Sequence, residues 1–249
     1  MNTKFLNFVN DLVDDIDLRN VIIESYCIIY ESKLDVAKDV YREYNKILDN
    51  IEDFDRVGNL YSLKSEINGI QYTTYVTFNN MRDSFGAVAN FDPMTLMIYS
   101  FELHLLFKQN NIIAVKQYFN TPYVRYTIAH ELSHLYEYTK RDKDELLNQL
   151  NKTDGLDFRK TKSIYDNQPV EQTPIRIGSI VSMVKDAINN KITDPNKIYS
   201  YIIKNMDSYT DNTYDNLNEK NKKQLHQTIS NVLHEICIDD KCDLNGFNQ

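Results

Sequence analysis

The sequence predicts an α+β fold, because helical and strand-like periodicities occupy separate parts of the chain. Apolar residues recur at intervals of three and four within residues 3–52 and again after residue 121. Between these regions apolar and polar residues alternate, and Asn68-Gly69 joins two of the alternating runs. Asn-Gly in that position indicates a β-hairpin. We therefore expect a small, mostly antiparallel sheet, then a long amphipathic helix, and then a helical C-terminal lobe.

The first 52 residues are predicted to form three helices. The first begins near Thr3, the second covers Asp17–Tyr30, and Ser32 is expected to cap the third. Since only about two and a half heptads are present, packing of the third helix on the protein's own sheet is favoured over a coiled-coil partner. The apolar seam of this helix consists of Leu34, Ala37, Tyr41, Tyr44, Leu48 and Ile51.

Four strands are expected in the middle of the chain. Tyr61–Ile67 and Ile70–Phe78 flank the Asn-Gly turn, and Gly86–Asn90 and Thr95–Ser100 are two shorter candidates. Together they predict an antiparallel meander in at least part of the sheet. Residues 101–119 are predicted to be helical. Five residues of that stretch are expected to be buried: Leu105, Leu106, Ile112, Ile113 and Val115.

The chain after residue 140 is predicted to be mainly helical. The expected segments are a short helix over Asp142–Leu150, an irregular crossing over Asn151–Gln168, a helix over Val170–Ile188, a helix from Asp194-Pro195 to Met206, a loop over Asp207–Asn216 and a last helix over Leu217–Ile238.

The composition is typical of a globular protein with an acidic surface. Of the 249 residues 42% are hydrophobic and 26% charged, and the formal net charge is −8, which argues against broad binding to nucleic acid or anionic membranes. An odd number of cysteines, three, argues against a disulfide framework. The first residues lack the pattern of a secretory signal, and the most apolar run, Val21–Tyr30, is too short to span a bilayer. We therefore expect a cytoplasmic protein.

Residues 121–138 contain the signals of a helix with one buried side. Thr121 is expected to cap the free amides, and Pro122 suits the first helical position. Residues two apart lie about 200° apart around a helix, so His130 faces away from Ile128 and from the core. The apolar stripe consists of Val124, Ile128, Leu132 and Leu135.

The segment His130-Glu131-Leu132-Ser133-His134 within this helix carries the functional signal. His130 and His134 are one helical turn apart, so both imidazoles face the same way and can bind one zinc ion. Glu131 lies beside them, where it can accept a proton from a zinc-activated water molecule. This is the H-E-x-x-H arrangement of zinc peptidases. The alternative is two surface histidines and an unrelated glutamate, but the helix-start signal and the apolar stripe independently favour a site.

The order of elements around this motif resembles that of the zincin metallopeptidases, of the small type found in phages and bacteria. The likeness is firm over the motif helix and looser over residues 55–190. It implies an upper lobe over residues 55–140, a lower helical lobe over residues 141–249, and a helical segment over residues 1–54 packed on them. It also implies that an edge strand of the upper lobe binds extended substrate through main-chain hydrogen bonds, and Thr95–Ser100 is the expected strand.

The resemblance bears on the third zinc ligand, since two histidines leave a catalytic site one protein ligand short. The subclass with a third histidine six residues after His134 is excluded, because position 140 is Lys. Gluzincins use a glutamate from a later helix of the lower lobe, and Glu171 is the expected ligand here. Asp166 and Asp157 are the alternatives.

Two details around Glu171 stay open. The regular helix could begin only at Pro174, capped by Thr173, and Glu171 would then lie just before it. Glu171 could also serve only as a first-turn glutamate that complements the helix dipole. Zincins often use a lower-lobe side chain to stabilise the oxyanion, and the resemblance suggests Tyr165 and Arg176 for this role.

The expected activity is hydrolysis of peptide bonds with one catalytic Zn²⁺ ion and Glu131 as general base. The substrate is expected to be a peptide or a protein, and its identity and the oligomeric state stay open. One alternative is a catalytically silent, zincin-like protein with a structural or host-interaction role, such as a virion component. Another is a toxin or regulatory peptidase with a single target. A phage-encoded protein of this kind would reside in the host cytoplasm or the virion.

Overall fold

The computed structural model describes residues 33–78, 85–140, 162–192, 194–210, 213–238 and 241–242. Within these residues a five-stranded sheet is followed by a mostly helical region, so the predicted α+β class is confirmed. The helices predicted near Thr3 and over Asp17–Tyr30 lie outside the described residues, as does the one predicted over Asp142–Leu150.

The first described helix, α1 (Lys33–Asp49), carries the predicted apolar seam. It packs mainly on the helix that contains the two motif histidines and contacts the sheet less, so the expected packing on the sheet is only partly right. The Tyr44 hydroxyl donates a 2.6 Å hydrogen bond to the Phe119 carbonyl oxygen. Five members of the seam are buried: Leu34, Ala37, Tyr41, Tyr44 and, in the 3₁₀ turn that follows the helix, Ile51.

The sheet contains five strands in the spatial order β1 (Asp55–Val57), β2 (Leu60–Ile67), β3 (Ile70–Thr77), β5 (Thr95–Tyr99) and β4 (Gly86–Asn90). All neighbouring strands are antiparallel except β3 and β5, which are parallel. The prediction of a mostly antiparallel sheet is therefore confirmed, and the meander expected in part of it is formed by β1, β2 and β3. The chain passes from β3 to the outer position of β4 and then returns through β5, between β3 and β4.

The hairpin between β2 and β3 forms where the sequence predicts it. Ile67 pairs with Ile70, so the loop consists of Asn68 and Gly69 alone. Their φ angles are 51° and 77°. Positive φ at both loop residues is the requirement of a type I′ turn, whose twist matches that of the flanking strands.

The prediction that Thr95–Ser100 is the edge strand that binds substrate is wrong. β5 pairs with β3 on one side and with β4 on the other, so within the described sheet it offers no free edge. Outside β5 lies β4, the edge strand on that side of the described sheet, and it packs against the histidine-bearing helix. The expectation fails because proximity in sequence suggested the strand just before that helix, whereas the crossover places β4 outside β5.

Two short helices connect the sheet to the motif helix. α2 (Phe101–Lys108) and α3 (Ile112–Phe119) are capped by Ser100 and Asn111, whose side chains accept hydrogen bonds from the backbone amides of Leu103 and Ala114. The predicted helical character is confirmed. Of the five residues expected to be buried, Val115 is buried, whereas Ile113 is 74% exposed and the expectation is wrong for it. The other three are half-buried: Leu105, Leu106 and Ile112.

The remaining elements confirm a mainly helical C-terminal part. A helix lies inside the predicted irregular crossing and another inside the predicted loop, and a two-stranded sheet replaces the end of the last predicted helix. The elements are α4 (Pro122–Tyr138), α5 (Lys162–Asp166), α6 (Pro169–Ser179), a π-helical turn (Ile180–Val184), α7 (Lys185–Asn189), α8 (Pro195–Tyr209), α9 (Thr213–Asn216), α10 (Glu219–Ile236), β6 (Cys237–Ile238) and β7 (Lys241–Cys242).

Among the described residues, no helix combines the length and the apolar character that crossing a membrane requires.

Candidate metal centre

Helix α4 carries both motif histidines and begins where the sequence predicts. Pro122 occupies the first helical position. The expected cap is wrong, because the Thr121 side chain accepts no hydrogen bond from the helix amides. Its hydroxyl instead donates a 2.9 Å hydrogen bond to the Tyr118 carbonyl oxygen, in the turn between α3 and α4. The helix start therefore depends on proline and on packing rather than on a side-chain cap.

The two histidines lie on a side of α4 different from the apolar stripe, as predicted. That side is covered by α6, and the side chains of His130 and His134 are only 12% and 10% exposed. The candidate site is therefore a narrow space between two helices rather than an open helix face. The stripe itself is buried, with at most 3% exposure for each of its members: Val124, Ile128, Leu132 and Leu135.

Glu171 lies opposite the histidines, in the first turn of α6. Its Oε2 atom is 3.1 Å from His130 Nε2 and 3.4 Å from His134 Nε2. The helix begins at Pro169 and continues through Pro174, so a later start capped by Thr173 is wrong. Pro169 suits the first helical position, where its missing N–H costs nothing. The early start gives Glu171 a fixed helical backbone.

The distances from Glu171 to the two histidines are close to those of a tetrahedral zinc site. Two ligand atoms bound to zinc at 2.0–2.2 Å and at the tetrahedral angle lie roughly 3.3–3.6 Å apart. The separations of 3.1 and 3.4 Å between Glu171 Oε2 and the two Nε2 atoms are close to that range. His130, His134 and Glu171 also form a group whose ligand atoms all lie within 4.8 Å of one another. Two imidazoles and one carboxylate are the donor set of a catalytic zinc site with one open position.

Glu171 and the two histidines shift one another's pKa values. Burial by itself would raise the pKa of Glu171, but the two imidazoles hold it well below the usual range of a carboxyl. Burial would lower the pKa of His134, but the Glu171 carboxylate reverses this effect and raises the pKa to about 9. The carboxylate therefore remains ionised at neutral pH, which is the form that binds a cation.

Glu131 is held between the sheet and the histidines. Its Oε2 atom accepts a 2.8 Å hydrogen bond from the backbone N–H of Ala89 in β4. Burial raises the pKa of Glu131, the neighbouring imidazoles oppose this, and the Glu171 carboxylate adds to it. A carboxylate with a raised pKa is a stronger base than a solvated one, and this suits proton abstraction.

The structure separates the two residues suggested for oxyanion stabilisation. Tyr165 of α5 shares a hydrogen bond with Glu171, and burial, Glu171 and Glu131 together raise its pKa far above the usual value. Its phenol is therefore protonated and able to donate beside the cluster. Arg176 instead donates a 2.6 Å hydrogen bond from Nη2 to Gln224 of α10. Arg176 is directed to α10, so the structure gives no support to its suggested role.

Asp166, the alternative third ligand with a described position, is not part of the cluster. Asp166 is buried, and its charge acts on the phenol of Tyr126, whose ring centroid lies 5.9 Å from that of His130. The group of described residues able to hold a metal contains Glu171 and not Asp166. Asp157 lies outside the described residues. Of the candidates with described positions, Glu171 alone meets both histidines.

Sequence reasoning missed two parts of this site. The Ala89 N–H that binds Glu131 had no signal, since a main-chain donor depends on sheet order and not on residue type. Gly178 had a usable signal, because a glycine inside an apolar helical segment often marks a close backbone approach. A Cβ atom at this position would lie 3.3 Å from the backbone nitrogen of His130.

Comparison with protein-family models, with curated proteins and with solved structures finds no match to this chain. A functional proposal therefore depends on the residues of the site.

Proposed function

We propose that this protein is a zinc-dependent peptidase of the gluzincin type. The observation that carries the proposal is the approach of one Glu171 oxygen to within 3.1 and 3.4 Å of both motif imidazoles. Glu131 lies beside this group, held by the sheet. The sequence motif supplies two ligands and a base, and the fold adds an acidic third ligand from a different helix. The zincin resemblance thus gains support from a contact between residues 41 positions apart.

His130, His134 and Glu171 would hold the zinc ion. When bound, zinc supplies Lewis acidity, which makes a water molecule more acidic and polarises the substrate carbonyl. Three protein ligands, of which one can be a carboxylate, leave the fourth coordination position open to reactants. Limited solvent exposure of the two imidazoles strengthens electrostatic interactions inside the site.

The remaining chemistry belongs to the protein's own side chains. The Glu131 carboxylate accepts a proton from the attacking water and then donates that proton to the leaving amine. The Ala89 N–H fixes one Glu131 oxygen, so the carboxylate keeps its orientation through both transfers. The Tyr165 phenol, which stays protonated, donates a hydrogen bond to the carbonyl oxygen as negative charge develops there.

The outer edge of β4 is the proposed binding site for the substrate main chain. In an antiparallel pair successive residues alternate between pointing toward the partner strand and away from it. The Ala89 N–H binds Glu131, so it points away from β5 and toward the site. Ala87 has the same orientation because it lies two residues earlier in the strand. An extended peptide along this edge would pass directly beside Glu131.

Peptide cleavage by the zinc-loaded protein tests the proposal. Unstructured peptides are incubated with the protein, and new termini are identified by mass spectrometry. We expect cleavage by the parent, loss of cleavage on chelation, and recovery when zinc is restored. His134→Ala should abolish cleavage because it removes a ligand.

The matched control is His104→Ala. The Nε2 atom of His104 lies 3.1 Å from the carbonyl oxygen of Asn59. Asn59 joins β1 to β2, at the edge of the sheet opposite β4, so loss of the His104 imidazole should leave cleavage unchanged. Cleavage that survives in His134→Ala, or its absence from the zinc-loaded parent across a diverse peptide mixture, would contradict the proposed activity. The second outcome would instead favour a zincin-like protein without catalysis.

A further inference from the structure

Helices α4 and α6 approach each other very closely at Gly178. A Cβ atom built on this residue would lie 3.1 Å from the Tyr126 carbonyl oxygen and 3.3 Å from both the Cβ and the backbone nitrogen of His130. Ordinary contacts of a Cβ atom are 3.4–4 Å. Any larger residue therefore requires the two helices to separate by a few tenths of an ångström. The neighbours that must give way are the Tyr126 carbonyl oxygen and the backbone nitrogen and Cβ of His130, a proposed zinc ligand.

Two residues of α6 and the π-helical turn, one before Gly178 and one after it, also contact α4. Glu171 lies seven residues before Gly178, nearly two full turns, and so on the same face. Ser182 lies four residues after it, in the π-helical turn. The Ser182 hydroxyl donates a 2.7 Å hydrogen bond to the Pro122 carbonyl oxygen, and the Ser182 carbonyl oxygen accepts one of 3.1 Å from Arg125 Nη1. The segment is therefore fastened to the start of α4 at one end and meets the histidines at the other.

We propose that Gly178 is a positioning residue for the metal centre: its lack of a side chain sets the separation of α4 and α6 at which Glu171 reaches both imidazoles. This inference rests on the proposed function, because it concerns the geometry of the same three ligands. In this role Gly178 itself contacts neither metal nor substrate. Its effect is transmitted through the backbone of α6 to the Glu171 carboxylate.

The size of the effect follows from helix geometry. With Ser182 as the fixed point, Gly178 lies about 6 Å and Glu171 about 17 Å along the helix at 1.5 Å per residue. An opening of about 0.3 Å at Gly178 then becomes about 0.8 Å at Glu171. Metal–ligand distances are held to within about 0.2 Å in well-formed sites. A methyl group at position 178 should therefore displace the carboxylate beyond that tolerance.

A double-mutant cycle on metal affinity tests this inference. Zn²⁺ affinity and the visible absorption of bound Co²⁺ are measured for the parent, Gly178→Ala, Glu171→Ala and the double variant. We expect Gly178→Ala to weaken binding about 10- to 100-fold, as the loss of an outer-shell partner does. In the Glu171→Ala background it should have no further effect, because the group it positions is gone. Ser179→Ala is the matched control, since the Ser179 hydroxyl bonds Ile175 within α6 itself and its affinity should be unchanged.

The outcomes separate this inference from the function on which it depends. An equal weakening by Gly178→Ala in both backgrounds would show a general structural effect and overturn the inference, as would no weakening in the parent. If Gly178→Ala does not fold, Ser182→Ala removes the hydrogen bond to Pro122 without adding atoms. It should weaken binding to a smaller extent, again only when Glu171 is present, and unchanged binding would overturn the inference. If Glu171→Ala itself leaves the affinity unchanged, the metal centre fails as well.

Discussion

Replacing Glu131 by Gln removes the proposed general base while keeping the size of the side chain. The amide oxygen of Gln can accept the same hydrogen bond that Glu131 receives from Ala89 at 2.8 Å, so the local structure should persist. Gln cannot accept a proton from water at neutral pH. The variant thus separates proton transfer from folding and from metal binding.

The expected loss is large. A positioned general base contributes about 10²- to 10⁴-fold to a reaction rate, so kcat for Glu131→Gln should fall by about that factor. The assay is hydrolysis of a peptide that the parent cleaves, at matched zinc content determined by elemental analysis. Thermal unfolding should coincide with that of the parent. A variant with full zinc content and an unchanged rate would refute the assignment of Glu131 as base.

Three further predictions follow from the site and the core. Tyr165→Phe removes the phenol beside Glu171, and we expect kcat to fall about 10²- to 10³-fold at unchanged zinc content; an unchanged kcat would exclude Tyr165 as an oxyanion donor. Leu132→Ala removes most of a fully buried side chain and should lower the free energy of unfolding, measured in urea titrations, by about 2–5 kcal/mol. Ile113→Ala is the control: this residue is 74% exposed, and the free energy of unfolding should change by less than about 0.5 kcal/mol. Burial lowers the pKa of His226, so the unfolded chain takes up a proton near pH 6.5 before the folded one does, and stability falls as the pH falls through that value. His226→Gln should therefore reduce the difference in Tm between pH 7.5 and pH 5.5, and a difference equal to that of the parent would contradict the direction of this shift.

Local sequence signals predicted much of what surrounds the site. The Asn68-Gly69 hairpin forms with the expected two-residue loop, because its requirement for positive φ is specific to few residues. The start of α4 at Pro122 follows from the preference of proline for the first helical position, and the separation of the histidines from the apolar stripe follows from helix periodicity. The burial of Leu132 shows that the core-facing side was assigned correctly. These features depend on residues within one or two turns of each other.

The features that the sequence did not predict depend on long-range packing. The parallel pairing of β3 with β5 leaves β4 on the outside, and neither strand carries a residue type that reveals this order. The Ala89 N–H reaches Glu131 only because of that order. The sequence leaves the start of α6 open, because Pro174 lies inside the segment expected to be helical and suits a first helical position. Packing against α4 accommodates Pro174 inside the helix at the loss of one backbone hydrogen bond.

The zinc content of Glu171→Ala tests the central claim most directly. The parent, this variant and Asp166→Asn are dialysed against the same buffered zinc solution, and metal per chain is determined by elemental analysis. Asp166 is the matched control, because it is also a buried carboxylate but lies outside the cluster of His130, His134 and Glu171. We predict one zinc ion per chain in the parent and in Asp166→Asn, and loss of zinc from Glu171→Ala. Zinc retained in full by Glu171→Ala, or absent from the parent, would contradict the proposed metal centre.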